Sequence, residues 1–411
     1  MGFAGGISAF FLTESIYYLL KLSAKVPIWT APLIGGFLSA FFFHWDFFAQ
    51  GFGTNFYINS VNKNNGFISF KTYITKLITS ALTLGSYGSG GYEGPMVMIG
   101  GSIGSTIARI PNLKQHLTKD DIRILTISGA AGALGAIFRS PLGGGIFVVE
   151  ILYRSSLNYP ELFPSILSST MGYIIYTKLG TGKPLFDIKE YLPNLTNVPW
   201  FIITAMLAAL AAILFMKTFD SFRTFFDKNE LRIFNINFNA AIGGLLTGLI
   251  LVILPQVGGT SINCIQNMIN GNLKVSLLIF LFIAKILATA LTVGSGGSGG
   301  VVVPALFIGS IVGNLMASTI SIFVEIKPGL ITSLSISGMA ASFASIANVP
   351  VAASVMLVEM TGLQLGVPAT LGSVIGYAVF RRKIIYNTTD PHLGEFAEGK
   401  KFRKKDRYHE H

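Results

Sequence analysis

The side chain best suited to chemistry in this sequence is Glu93. It is a lone carboxylate in the run Leu82–Ser105, LTLGSYGSGGYEGPMVMIGGSIGS, among glycines and apolar residues. Two positions on stands Pro95, which has no amide hydrogen to donate and fits the first turn of a helix. Gly85, Gly88, Gly90 and Gly91 would each weaken a regular helix. The pattern predicts irregular backbone over Gly85–Glu93 and a helix over Pro95–Ile110. A helix start presents free N–H groups and about half a positive charge, so it attracts anions. A carboxylate beside it has two states: ionised, it fills the anion's place; protonated, it swings out. The plainer alternative is a Glu that merely caps its helix.

The run has a twin. Leu291–Asn314, LTVGSGGSGGVVVPALFIGSIVGN, matches it at an offset of 209 without a gap, with 12 of 24 positions identical. The register continues: Lys76 falls on Lys285, and Ile127–Ile151 falls on Ile336–Met360 with Pro141 on Pro350 and Glu150 on Glu359. The chain is therefore read as a duplication, and Val302 stands where the first copy has Glu93. Two helix starts, at Pro95 and Pro304, would then converge across a pseudo-two-fold axis, with Gly51–Phe52–Gly53 offering a third. Partial charges of this kind bind a bare anion and also let it leave.

Composition says where this happens. Of 411 residues, 51% are hydrophobic and 12% charged, and the mean hydropathy is +0.61. A soluble domain carries about 25% charged residues. Apolar runs that cross all or most of about 30 Å of hydrocarbon recur: Gly5–Leu22, Trp29–Phe48, Pro160–Leu179, Trp200–Phe215, Ala240–Leu254, Val275–Val293 and Leu365–Phe380. The expectation is an all-α integral membrane protein. Irregular backbone at membrane depth is tolerated only where it is buried in protein or lines a watery cavity. A carboxylate there costs about 2.5–3.5 kcal/mol or more and is usually functional. Glu150 and Glu359 end equivalent helices, where a capping or loop contact is the plain reading.

The single cysteine, Cys264, excludes a disulfide framework or a thiolate cluster. The five histidines have no metal-ligand spacing, and no HExxH, Walker or GxSxG pattern occurs. No cofactor, metal or nucleic acid is expected. No second carboxylate, histidine or nucleophile pairs with Glu93, which argues against an intramembrane enzyme. The net charge is +11, with Lys400, Lys401, Arg403, Lys404, Lys405 and Arg407 crowding the end, as in a cytoplasmic tail under the positive-inside rule. The division is a first transmembrane repeat over 1–190, a second, inverted one over 197–387, and a basic tail over 388–411. Such repeats put the site at their interface near the bilayer midplane.

These residues resemble the CLC family of chloride channels and proton-coupled chloride exchangers, of the prokaryotic type without CBS domains. The family's G-[KR]-E-G-P motif is similar to Gly91–Tyr92–Glu93–Gly94–Pro95, its G-x-F-x-P motif to Gly300–Val301–Val302–Val303–Pro304, and its G-S-G-I-P motif to Gly51–Phe52–Gly53–Thr54–Asn55. Its ion-coordinating tyrosine resembles Tyr386. The resemblance implies a fold of many tilted and re-entrant helices in two antiparallel halves, and a homodimer in the plasma membrane with one pore per subunit. Dimer contacts would lie around Phe147–Tyr176 and Ala352–Phe380. It implies Glu93 as the gate, and an anion site formed by Phe52, Gly53, Gly91, Gly94, Val301, Val302 and Tyr386.

The sequence departs from the family pattern at four places. Phe52 stands where serine or proline is usual, Tyr92 where lysine or arginine is usual, and Val302 where phenylalanine is usual. Ile151 stands where exchangers often carry an internal proton-transfer glutamate. Glu150 is one residue away, a turn of about 100° on a helix; a proton pathway would run through Glu93 and Glu150. Transport of an inorganic anion, chloride foremost, through a pore gated by Glu93 protonation is the resulting expectation. A proton-coupled exchanger of the same fold, and fluoride or nitrate as the ion, stay open.

Overall fold

The computed structural model describes residues 1–153, 157–180, 184–188, 195–323, 325 and 327–380. Tyr386 and the basic tail lie outside the described residues. The first half comprises α1 (Gly2–Ser23), α2 (Ala31–Trp45), α3 (Thr54–Lys63), α4 (Phe70–Gly85), α5 (Glu93–Ala108), α6 (Pro111–Lys114), α7 (Lys119–Phe138), α8 (Pro141–Glu150) and α9 (Tyr159–Leu179). The second comprises α10 (Val198–Lys228), α11 (Asn239–Ile253), α12 (Ile262–Ile269), α13 (Val275–Thr292), α14 (Val302–Ile320), α15 (Pro328–Ala347), α16 (Pro350–Thr361) and α17 (Gly366–Phe380). Apart from the four-residue α6, the two halves run helix for helix.

Among the described residues, six helices are long and apolar enough to cross a membrane: α1, α7, α10, α13, α14 and α15. The 15 residues of α2, α11 and α17 rise only about 22 Å at 1.5 Å each, so none crosses alone; the fold is one of partial and re-entrant helices. One small departure from all-α is a hairpin, Arg232–Ile233 against Ile236–Asn237. Phe234 (φ 50°) and Asn235 (φ 62°) form its two-residue turn with both φ positive, the geometry that suits tight hairpins. The charged segment after α10 gave no sign of it.

Packing repeats with the sequence. α5 lies on α7 as α14 lies on α15, and α7 on α9 as α15 on α17. In the first pair Gly100 and Gly129 face each other so closely that a Cβ on either would enter the other's carbonyl; Gly309 and Gly338, each 209 residues on, repeat the contact. Small residues let apolar helices approach closely enough for dispersion to hold them.

The halves are inverted, and their two-fold axis is visible in hydrogen bonds. Gly91 and Gly300, equivalent in the repeat, exchange both backbone bonds as an antiparallel bridge, each at 2.8 Å. Around them, Ser80 Oγ meets Ser298 Oγ at 2.8 Å, and Ser89 Oγ meets Thr289 Oγ1 at 3.0 Å. The Ser89 amide donates to Thr292 Oγ1 and the Ser298 amide to Thr83 Oγ1. Each pair is the image of the other under the 209 offset. Glu150 accepts the amides of Val351 and Ala352 at 3.0 and 2.7 Å, and Glu359 accepts those of Leu142 and Gly143 at 3.0 and 2.9 Å. Each half thus caps a helix of the other.

Candidate anion site

Three helix starts meet beside the axis. α5 and α14 begin at Glu93 and Val302, two residues before the prolines that the sequence marked as starts. Glu93 is therefore the first helical residue of α5 rather than the last of the glycine-rich loop. Proline is tolerated there because the first-turn amides have no intrahelical acceptor. Gly53 (φ +80°) caps the start of α3; that left-handed turn favours glycine. Gly94 leaves room for the Phe52 carbonyl, which a Cβ would strike. The α3 and α5 starts are thereby locked side by side.

Glu93 is 1% exposed. Its side chain does not stay on its own helix. Oε1 accepts the Val302 amide at 2.6 Å, and the amides of Val301, Val303 and Glu93 itself also turn toward the carboxylate. It occupies the N-terminus of α14, the place where a free anion would be held. Oε2 is buried with no hydrogen-bond partner among the described residues. Gly91 and Gly300 line the pocket, and a Cβ on either would strike this carboxyl group. The glycines of the two motifs therefore make room for a carboxylate as well as for backbone turns.

Of the residues singled out in the sequence, Phe52, Gly53, Gly91, Glu93, Gly94, Val301 and Val302 come together here. Tyr386 lies outside the described residues. Glu150 takes part elsewhere: both its oxygens are engaged by α16 amides at the contact between α8 and α16. Ile151 is buried and apolar.

Two residues stand out more in the structure than in the sequence. Lys76 and Lys285 are fully buried. Lys76 Nζ donates to the carbonyls of Ala49 (2.9 Å) and Gly51 (2.6 Å). Lys285 Nζ donates to Val257 O (3.1 Å), Gly259 O (3.5 Å) and Ser261 Oγ (2.9 Å). Each ammonium gathers the carbonyls of a 3-10 turn and the loop after it, Phe47–Ala49 and Pro255–Val257. Their recurrence at the 209 offset was the signal; what they hold was not readable without the loops.

An inverted-repeat bundle with helix starts aimed at one buried point defines a membrane ion transporter rather than an enzyme. The voltage gated chloride channel family profile matches residues 35–381, and the chain belongs to that family. It is 32% identical over 320 residues to an H(+)/Cl(-) exchange transporter ClcA of Vibrio vulnificus, covering 74% of this chain and 67% of the relative. It is 29% identical over 387 residues to an uncharacterized protein of Methanocaldococcus jannaschii, covering 94% and 93%. Its fold is shared with a slow cyanobacterial Cl-/H+ antiporter (TM-score 0.78, 23% identity, 92% of each chain). A CLC-type fluoride/proton antiporter has the same fold (TM-score 0.80, 19% identity, 94% of each). The chain is an integral membrane protein that transports inorganic anions.

Proposed function

We propose that this protein carries chloride through each subunit between the starts of α3, α5 and α14, and that Glu93 is both gate and proton carrier. The bond from the Val302 amide to Glu93 Oε1 carries the reading. Ionised, Glu93 competes with chloride for the same amides. A proton on the carboxyl removes the charge those amides attract, so the side chain leaves and chloride takes its place. Proton and anion thus exchange occupancy of one site, which is the requirement for antiport. The names of the relatives, H(+)/Cl(-) exchange transporter and Cl-/H+ antiporter, support the same choice.

A passive, Glu93-gated pore is the second reading, and it is favoured by apolar Ile151 beside a fully engaged Glu150. The two are separated by the reversal potential of purified protein in liposomes under a pH gradient. Antiport predicts a shift with pH, and a passive pore predicts none. Glu93→Gln is expected to keep or raise anion flux and to lose both its pH dependence and any proton movement. Loss of all anion flux in a folded Glu93→Gln protein would falsify the gate. Competitive efflux of chloride, fluoride and nitrate ranks the ions.

The working form in this proposal is a homodimer in the plasma membrane with the basic tail in the cytoplasm. Exposed apolar side chains on α9 and α17, among them Phe163, Leu167, Val367 and Val374, support that contact. Light scattering in detergent checks the subunit number.

A further inference from the structure

Four carboxylates are buried among the described residues: Asp46, Glu93, Glu150 and Glu161. Asp46 accepts the Phe48 amide at a 3-10 turn, and Glu150 accepts two amides at the start of α16. Glu93 fills the anion's place. Glu161, in the first turn of α9, is held by side chains instead. Arg123 of α7 forms an ion pair with its Oε1, and the Tyr153 hydroxyl donates to the same oxygen at 3.0 Å. Arg123 also donates to the Tyr153 hydroxyl at 2.8 Å and to the Val61 carbonyl at 3.2 Å. Glu161 Oε2 is buried with no hydrogen-bond partner among the described residues. The Arg123 side chain is 18% exposed, and α7 begins one turn earlier with exposed Lys119 and Asp120. Glu161 therefore lies one side chain below an aqueous face.

The cluster does not recur in the second half. At the 209 offset Arg123, Tyr153 and Glu161 fall on Thr332, Gly362 and Thr370. The matching junction is made by a neutral group: Thr332 Oγ1 donates to the Ile269 carbonyl at 3.1 Å, next to Asn270, the equivalent of Val61. Packing at this corner thus needs no buried ion pair, and such a pair is weak evidence for stability.

α3 connects the cluster to the anion site. Thr54, its first residue, lies beside Gly94, and its Val61 carbonyl takes Arg123; the rise from one to the other is roughly 10 Å. Tyr57, one turn from Thr54, is fully buried with its hydroxyl on the Val148 carbonyl at 3.4 Å. Thr54 Oγ1, Asn59 Oδ1 and Ser60 Oγ are buried without hydrogen-bond partners among the described residues. Buried polar atoms of this kind are where ordered water binds.

We propose that Glu161 is the proton acceptor through which the aqueous face at the start of α7 exchanges protons with Glu93. A proton from water adds to Oε2 while Oε1 keeps Arg123 and Tyr153. That O–H bond then breaks, the proton passes along the polar groups of α3 and the water they bind, and a new O–H bond forms on Glu93 Oε2. Oε1 of Glu161 still holds Arg123, so the carboxylate left behind is not a bare charge. The inference rests on the antiport reading above. It supplies the second protonatable group that Ile151 and the engaged Glu150 do not.

The test measures chloride-driven proton movement and chloride efflux in the same proteoliposomes, with the melting temperature in detergent. Glu161→Gln is expected to keep chloride efflux while the proton-to-chloride ratio falls by at least about tenfold. Glu161→Asp is expected to restore part of that ratio. Arg123→Thr combined with Glu161→Thr copies the residues of the second half and leaves no unpaired charge; it is expected to lose the ratio in the same way and to melt near the parent's temperature. Should Glu161→Gln not fold, this double variant decides. A fall of both fluxes in proportion to lost folded protein, with the ratio kept, overturns the proposal in favour of a purely packing role. A parent that couples protons, with variants that couple them equally, sinks this inference alone. A parent whose reversal potential does not shift under a pH gradient sinks the antiport reading and this inference with it.

Discussion

The loops Gly51–Phe52–Gly53 and Gly259–Thr260–Ser261 are one turn built twice. Both follow a 3-10 turn, both are gathered by a buried lysine, and both place a left-handed residue before a short helix, Gly53 at φ +80° and Ser261 at φ +58°. They differ in the side chain between: an aromatic ring under Arg223 in one, a hydroxyl beside Tyr92 in the other. A second difference lies at the axis, where Glu93 of α5 reaches the start of α14 and its counterpart Val302 reaches nothing polar. The comparison teaches that the duplicated parts of the chain hold backbone, and in the proposed function the parts that diverged are those that act on the ion. Lysine, glycine, proline and the cross-capping glutamates recur; the residues at 52 and 93 do not.

Moving the gate across the axis is the strongest way to break this comparison. Glu93→Val alone is expected to give anion flux without pH dependence, where the parent loses about tenfold per pH unit wherever the ionised form dominates. Glu93→Val with Val302→Glu puts the carboxylate on α14, facing Gly91 as the original faces Gly300. If the two helix starts are equivalent, pH-dependent flux returns. Measuring efflux between pH 5 and pH 8 decides it. A double variant that behaves like Glu93→Val would mean that the halves are equivalent in backbone only.

Gly300→Ala tests the same pocket more gently. Its Cβ would strike the carboxyl group of Glu93 rather than backbone, and a side-chain end can move aside. The expected outcome is a severalfold rise in flux at neutral pH with the fold intact, since the plug is dislodged without a proton. Flux at pH 5, where the plug is already out more often, should change less.

The framework was legible early because it repeats: the offset of 209 carried the helices, their order and the point of convergence. The helix starts were displaced by two residues, because proline marks the first turn and not its first position. What the first-half loop would rest on was not legible. Arg223 is 171 residues from Phe52, on a helix whose sequence barely matches α1, so no spacing links them. The lysines showed as a recurrence, but a buried ammonium bound to carbonyls has no sequence signature apart from its partners' fold. The bonds of Glu93 to α14 were foreseeable in kind from the duplicated glycine–proline motif, since glycine on both sides leaves space that only a neighbouring side chain can fill.

The lysines give a smaller effect. Lys76→Met removes the side-chain donor from the Ala49 and Gly51 carbonyls and Lys285→Met removes it from the Val257 carbonyl, at about 1–3 kcal/mol per orphaned group, while the Gly259 carbonyl keeps the Gly90 amide. If the two loops rest on their lysines alike, both variants lower the melting temperature in detergent by similar amounts. Lys76→Met should in addition alter anion flux, because the loop it holds forms part of the site, while Lys285→Met should alter it less.

The cross-capping glutamates should give the smallest effect. Each carboxylate takes amides at the start of a helix in the opposite half, the arrangement that the helix dipole favours. Glu150→Gln and Glu359→Gln each keep one acceptor oxygen and lose the charge, which is expected to cost about 1 kcal/mol in stability. The amide pairs occupy equivalent places, but Glu359 also accepts the Ser140 hydroxyl, whose repeat equivalent is Val349, so Glu359→Gln should lose the more of the two, and proton-coupled flux should fall no further than stability requires. A Glu150→Gln protein that loses proton movement while Glu359→Gln keeps it would assign Glu150 to the proton pathway despite its two amide bonds. It would also move position 150 from the part of the chain that holds backbone to the part that works on the ion.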